Sequence, residues 1–163
     1  MDNKNIEKVR SIVKDCKTAM MATMSEKGEM RARPMATSEY DEEGNIWFFT
    51  DKTSEKVDEL SNQQPILLTY SNTTDNKYLS LTGTVSVVDH LDKKQELFSI
   101  FTKAWFPSGA ESENLVLLKF TPSQGEYWDP SDSSLVQLFK IGKAILTGTE
   151  YESDADNHAK VAL

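Results

Sequence analysis

Two successive hairpins near the N-terminus restrict the folds open to this 163-residue chain. Three segments have the composition and alternation of β-strands: TAMMATMS over residues 18–25, MRARPMATSEY over 30–40 and NIWFFT over 45–50. The sequences between them, EKGE and DEEGN, are typical of turns, and Gly44 suits a position that requires a positive φ. These segments predict an antiparallel meander.

Further strand patterns follow. ILLTYS over residues 66–71 is short and apolar, and YLSLTGTVSVV over 78–88 alternates, with Gly83 indicating a bulge or a sharp bend. LVLLKFT and GEYWD predict two more strands, separated by a turn that contains Pro122. At least six strands with short turns and several helices predict a mainly β fold with flanking helices, an α+β barrel or curled sheet. A single domain is expected over residues 1–163.

Helices are predicted around these strands. The first is capped by Asp2 or Asn3 and has apolar residues at helical spacing. The second, SEKVDELSNQ, is capped by Thr53, and the third runs from a cap at Asp89 to about Ala104. The last is SSLVQLFKIGKAILTG, closed by its final glycine. The apolar stripe of the third helix is predicted to contain Leu97, Phe98, Ile100, Phe101 and Ala104.

Composition argues against several classes of function. Asp and Glu number 26 against 18 Lys and Arg, which disfavours nucleic acid or an anionic membrane as a partner, since both are bound mainly by clustered basic residues. The N-terminus lacks the apolar core of a signal peptide, and no apolar run approaches the length of a membrane span, so the predicted location is cytoplasmic. Cys16 is the only cysteine, and His90 and His158 lack ligand-spaced partners, so no disulfide or metal site is predicted.

The strongest local signal is the joint between a strand and a helix in WFFTDKTSEKVDEL. A helix N-terminus offers unpaired N–H groups, Thr50 and Ser54 offer hydroxyls, and Lys56 offers a positive charge. Arg33, on the preceding strand, is within reach, whereas Asp51 and the neighbouring glutamate place negative charge nearby. Two interpretations remain open from the residues alone: a capped surface turn, or a pocket for an anion such as a phosphate.

The longer segment RPMATSEYDEEGNIWFFTDKTSEK resembles the cofactor-binding stretch of the pyridoxamine 5′-phosphate oxidase-like proteins, which form an FMN-binding split β-barrel. On this resemblance, Arg33 takes the place of the arginine that opens a strand. Phe49 and Thr50 take the places of an aromatic–Thr pair, and Ser54 and Lys56 those of the ends of a Ser-Arg-Lys run.

Later segments extend the resemblance over almost the whole chain. PSQGEYWD is similar to a family segment that places a tryptophan, here Trp128, beside the flavin. Tyr78 stands where the oxidases have a flavin-contacting glutamine. Together with RPM, DKTSEKV and AWFPSG, these segments most resemble the general stress protein 26 subfamily.

Three further departures from the oxidases limit what is carried over. Glu55 stands where they have arginine, and Ser38 where they have lysine. After Trp128 the oxidases carry an Arg-x-His motif that binds the substrate phosphate, whereas this chain continues DPSDSSLVQLFK. The resemblance therefore implies cofactor binding without pyridoxamine 5′-phosphate oxidation.

The implied cofactor is FMN, with FAD as an alternative, bound at the interface of a homodimer in which both chains contact each flavin. The strand from Arg33 would offer backbone to the ring edge, and Phe49 and Trp128 would form walls. The predicted cofactor-binding residues are Arg33, Pro34, Met35, Ala36, Thr37, Phe49, Thr50, Ser54, Lys56, Tyr78 and Trp128.

The predicted function is that of a flavin-binding general stress protein with a redox-related role. No residue stands out as an acid, base or nucleophile, so any chemistry would be the flavin's own hydride or electron transfer. One alternative is a flavin carrier or sensor without turnover. Another is a barrel of the same fold that binds haem or a different ring.

Overall fold

The computed structural model describes residues 3–25, 27–60, 65–129 and 158–162. The predicted helix over residues 133–148 lies outside these ranges, and the single domain over the full chain stays a prediction. The helices are α1 (Asn3–Cys16), α2 (Glu55–Leu60), α3 (Leu91–Leu97) and α4 (Ile100–Trp105). The strands are β1 (Thr18–Met24), β2 (Met30–Tyr40), β3 (Ile46–Asp51), β4 (Ile66–Asn72), β5 (Lys77–Val88), β6 (Leu115–Trp128) and β7 (His158–Ala162).

The strands form an antiparallel barrel. Their order is β3-β2-β1-β4-β5-β6-β7, and a further pairing of β3 with β6 closes the first six into a ring, with β7 added outside on β6. The interior holds apolar side chains from every strand of the ring, and α1 adds Val9, Ile12 and Val13 to the same core. The predicted fold class, a barrel with flanking helices, is confirmed.

The two predicted hairpins form as expected. β1 pairs with β2 from Thr18↔Ala36 to Met24↔Met30. In the next turn Gly44 has a φ of 88°, a conformation that side chains with a Cβ rarely adopt. β2 and β3 pair only between Thr37 and Tyr40 on the β2 side, with an irregularity after Thr37. The two strands therefore diverge toward the N-terminal half of β2.

Gly83 marks the predicted bulge, where the register between β5 and β6 shifts. A Cβ at this position would lie 2.2 Å from the backbone oxygen of Thr121, so only glycine permits this approach. The prediction of two strands around Pro122 is wrong, because β6 is continuous from Leu115 to Trp128. Pro122 pairs with Gly83 beside the irregularity, a place where a strand tolerates a residue without an N–H donor.

The single helix predicted from Asp89 to Ala104 is also wrong. Phe98 adopts an extended conformation, and Ser99 and Thr102 form a capping box that starts α4 as a new helix. Asp89 is not the cap of α3. His90 holds that position, and the Asp89 carboxylate instead accepts a hydrogen bond from the buried Lys94. The predicted apolar stripe is consequently divided, since Leu97 and Phe98 pack inward while Ile100 and Phe101 are exposed.

Candidate functional site

The divergence of β2 and β3 leaves a gap at which the predicted phosphate-binding residues gather. Residues 30–36 of β2 pair with β1 on one side, and no described strand pairs with their other edge. The chain turns from β3 into α2 at this gap. The Thr50 and Ser54 hydroxyls lie 3.4 Å apart at the turn, and Thr50 is buried.

The turn itself is held by Asp51. Its carboxylate accepts hydrogen bonds from both the backbone N–H and the hydroxyl of Thr53, which lower the pKa of Asp51. The helix begins at Glu55, so Thr53 does not cap it as predicted but closes the turn before it. Because the described helix is only six residues long, an anion bound here would depend on the side chains rather than on the helix end.

Lys56 is the least compensated cation of the cluster. Its ammonium contacts the thioether sulfur of Met35 at 3.5 Å, a weak acceptor, and it forms no ion pair with the residues that the structure describes. Burial lowers the pKa of Lys56, and the positive charge of Arg33 lowers it further, while Asp51 acts in the opposite direction. A half-buried ammonium with a thioether for a partner would be stabilised by a bound anion.

Arg33, in contrast, is already paired. Its guanidinium donates to both carboxylate oxygens of Glu59, at 2.9 and 3.1 Å, and to the hydroxyl of Thr23 at 2.9 Å. These bonds raise the pKa of Arg33 and hold the pKa of Glu59 below its ordinary value, although burial of Glu59 acts the other way. The predicted phosphate-binding arginine is therefore part of a largely buried ion pair.

The negative charge of Glu55 is also compensated, so it disfavours a bound anion less than the sequence indicates. Arg31 lies two residues before Arg33 on β2 and donates to the Glu55 carboxylate at 3.0 Å. A second ion pair joins Arg31 to Glu59 at 3.6 Å. An arginine of β2 thus neutralises the glutamate that stands where the oxidases have arginine.

Glu59, Arg31 and Thr23 were not predicted from the sequence as members of this site. A signal was available for the first two. Residues two apart on a strand share a face, as do residues four apart on a helix. Arg31 and Arg33 therefore form one pair of like charges, and Glu55 and Glu59 form its complement.

Other predicted residues of β2 and β3 have separate positions. Pro34 and Ala36 are exposed on the open edge, and Met35 is buried. The Thr37 hydroxyl lies 2.8 Å from that of Tyr70, whose pKa is raised by burial. Phe49 belongs to a smaller apolar cluster outside the barrel, edge-to-face with Phe98, and so lies on the opposite face of β3 from the neighbouring Thr50.

Tyr78 and Trp128 lie far from this cluster within one chain. They are paired across β5 and β6, and both are partly exposed. In the six-stranded ring β5 is three positions from β2 in either direction, on the opposite side of the barrel. Along β6, Trp128 is eleven residues beyond Leu117, the partner of Phe49, which is roughly 36 Å of extended strand. The predicted set therefore forms two separate groups.

The described residues contain no candidate metal site and no membrane-spanning helix. No group of three or more His, Cys, Asp and Glu side chains among them could hold a metal ion. No helix in the same part of the chain is long and apolar enough to cross a bilayer.

The fold and this site define a class: antiparallel split barrels with a polar, cation-bearing gap where two strands diverge. The chain belongs to the pyridoxamine 5′-phosphate oxidase-like family, whose pattern matches residues 4–152. The family predicted from the sequence is confirmed.

Known proteins match this chain over most of its length, two of them in structure. A protein of Jannaschia sp. CCS1 described as a general stress protein 26 is 27% identical, with a TM-score of 0.78, and the match covers 98% of this chain and 99% of that one. A general stress FMN/FAD binding protein of Xanthomonas citri is 24% identical, with a TM-score of 0.69 and coverage of 80% and 93%. Protein bli-3 of Neurospora crassa is 23% identical over 156 residues, 90% of this chain and 75% of that protein. The neighbours named general stress protein 26 support the predicted subfamily.

Proposed function

We propose that this protein binds a flavin, FMN with FAD as the alternative, and serves a redox-related role in a stress response. The observation that carries the proposal is Lys56, a half-buried cation without an ion pair among the described residues. The Thr50 and Ser54 hydroxyls lie at the adjoining turn. A phosphate is an anion of suitable size for such a group of donors.

The unpaired edge of β2 supports the proposed contact between the protein and the flavin ring. Backbone groups of residues 33–36 have no strand partner on that edge in the described chain, and polar backbone can hydrogen-bond the edge of a flavin ring. The relative from Xanthomonas citri carries FMN/FAD binding in its name. When bound, the flavin would supply hydride or electron transfer, and the protein would supply binding and orientation.

The division of the predicted residues supports a homodimer. Tyr78 and Trp128 are paired across β5 and β6, and β5 lies on the opposite side of the six-stranded ring from β2, which carries Arg33. A second copy, arranged with two-fold symmetry, would bring its own Tyr78 and Trp128 to the flavin whose phosphate is bound by the first chain. The proposed site is thus shared between two chains. Separately, we still expect the protein to be cytoplasmic.

An absorption spectrum of the purified protein tests flavin binding, and anaerobic addition of NADH or NADPH then separates the two functional alternatives. Bleaching of the bound flavin would support an oxidoreductase. A flavin that remains oxidised with both donors would support a carrier or sensor. A haem spectrum would overturn the proposal.

Pyridoxamine 5′-phosphate should not be oxidised at an enzymatic rate. The segment DPSDSSLVQLFK, which directly follows Trp128, contains neither arginine nor histidine, whereas the oxidases have at this place the Arg-x-His motif that binds the substrate phosphate. Formation of pyridoxal 5′-phosphate can be followed by its absorbance in the presence of saturating flavin. Repeated turnover at ordinary enzymatic rates would contradict this prediction.

A further inference from the structure

A buried carboxylate lies directly behind the candidate phosphate site. Glu59 on α2 is only 7% exposed and accepts four hydrogen-bond and ion-pair contacts. The Thr23 hydroxyl donates at 2.6 Å, and the Arg33 guanidinium donates to both oxygens. Arg31, which is more exposed, makes the fourth contact, an ion pair with Glu59 at 3.6 Å.

We propose that Glu59 is a positioning residue for the phosphate end of the flavin site, acting through Arg33. This inference rests on the proposed function and adds a role for a residue that would not itself touch the ligand. The two-point contact fixes the plane of the guanidinium, because a carboxylate and an arginine fork match in only a narrow range of orientations.

Arg33 still has N–H donors that could bind a ligand. A guanidinium has five N–H donors, and the bonds to Thr23 and Glu59 engage three of them. Two donors remain for a ligand. Since Glu59 neutralises Arg33, the full charge attraction would come from Lys56, while Arg33 would contribute directed hydrogen bonds.

Two competing roles for Glu59 would have different consequences. If Glu59 acted only as a nearby negative charge, its removal would strengthen the binding of a phosphate. If it only fastened α2 to β1 and β2, its removal would lower stability and affect ligands with and without a phosphate equally. A positioning role predicts a selective loss for the phosphorylated ligand.

Glu59→Gln is the test, with FMN and riboflavin dissociation constants measured by fluorescence quenching and folding monitored by thermal unfolding. The ratio of riboflavin to FMN dissociation constants should fall about tenfold relative to the unsubstituted protein, the effect of losing one charge-assisted hydrogen bond. Glu55→Gln is the matched control. It removes a carboxylate from the same helix face, paired with Arg31 and largely exposed, and should leave the ratio unchanged or raise it.

A double-variant cycle tests whether the effect passes through Arg33. In an Arg33→Met background, Glu59→Gln should cause no further loss of FMN selectivity. The double variant should also fold more stably than Arg33→Met alone, which leaves the buried Glu59 carboxylate with only the Thr23 hydroxyl and the longer ion pair to Arg31. If Glu59→Gln does not fold, Thr23→Val decides, since it preserves shape and removes only the hydroxyl contacts to Glu59 and Arg33.

The titrations distinguish a failed inference from a failed cofactor assignment. A selective loss of FMN affinity in Glu59→Gln, or in Thr23→Val where that variant decides, supports the positioning role. Flavin binding with an unchanged or improved preference for FMN overturns that role and leaves the proposed function intact. Absence of flavin binding by the unsubstituted protein overturns both.

Discussion

Replacing Lys56 with alanine should weaken FMN binding about 10- to 150-fold and change riboflavin binding little. The range corresponds to a charge-assisted hydrogen bond of about 1.5–3 kcal/mol. Riboflavin has no phosphate and would lose no such bond. Lys56 is suited to this contact because the described chain gives its ammonium only a weak thioether acceptor. Parallel titrations of both ligands measure the difference.

A pH series with Lys56→Arg as the control sharpens this test. The pKa of Lys56 is lowered in the free protein, and a bound phosphate would raise it again. The preference for FMN should therefore hold at pH values below the lowered pKa and decrease as the pH rises through it. Arginine does not titrate in this range, so the control should show no such decrease. Equal losses of FMN and riboflavin in Lys56→Ala would assign Lys56 to the structure of α2.

Flavin should strengthen dimerisation by about 100-fold when its concentration is about ten times its dissociation constant. If each pocket requires both chains, a dimer binds two flavins and a monomer none, and each site contributes a factor of about 1 + [L]/Kd. Sedimentation velocity over a dilution series, with and without FMN, measures the shift. A monomer with full flavin affinity would contradict the shared site while leaving the cofactor assignment standing.

Trp105→Glu should weaken dimerisation and flavin binding together. Trp105 is 80% exposed at the end of α4, close in sequence to Phe106, which packs beside Phe49 in the outer cluster. Phe106 is unsuitable for the same test, because it packs against that cluster and a charge there would disturb it. Leu91→Glu is the control, as it places the same charge at a half-exposed apolar residue on α3. Equal effects of both substitutions would remove α4 from the interface.

The strands were predictable where the signal is local. The turns of the first two hairpins and the bulge at Gly83 each depend on residues adjacent in sequence, and these predictions were confirmed. The continuity of β6 was not predictable in this way, since Pro122 indicates a turn unless its distant partner Gly83 is known. β7 was missed for the same reason, because residues 158–162 form a strand by pairing with β6.

The candidate site was likewise predictable only where it depends on residues that are neighbours in sequence. Thr50, Ser54 and Lys56 are neighbours in sequence, and their grouping follows from one turn. The pairing of Arg33 with Glu59 joins residues 26 positions apart, through the packing of α2 beneath the barrel. The exposure of side chains on α4 likewise depends on how that helix packs against the rest of the chain. The spacing of apolar residues predicted one continuous stripe, whereas in the structure Leu97 and Phe98 pack inward and Ile100 and Phe101 are exposed.

Equilibrium dialysis of the purified protein against FMN, with riboflavin and FAD in parallel, tests the central claim most directly. We expect saturable binding of about one flavin per chain, with FMN bound more tightly than riboflavin. No retained flavin with FMN or FAD in excess would contradict the claim.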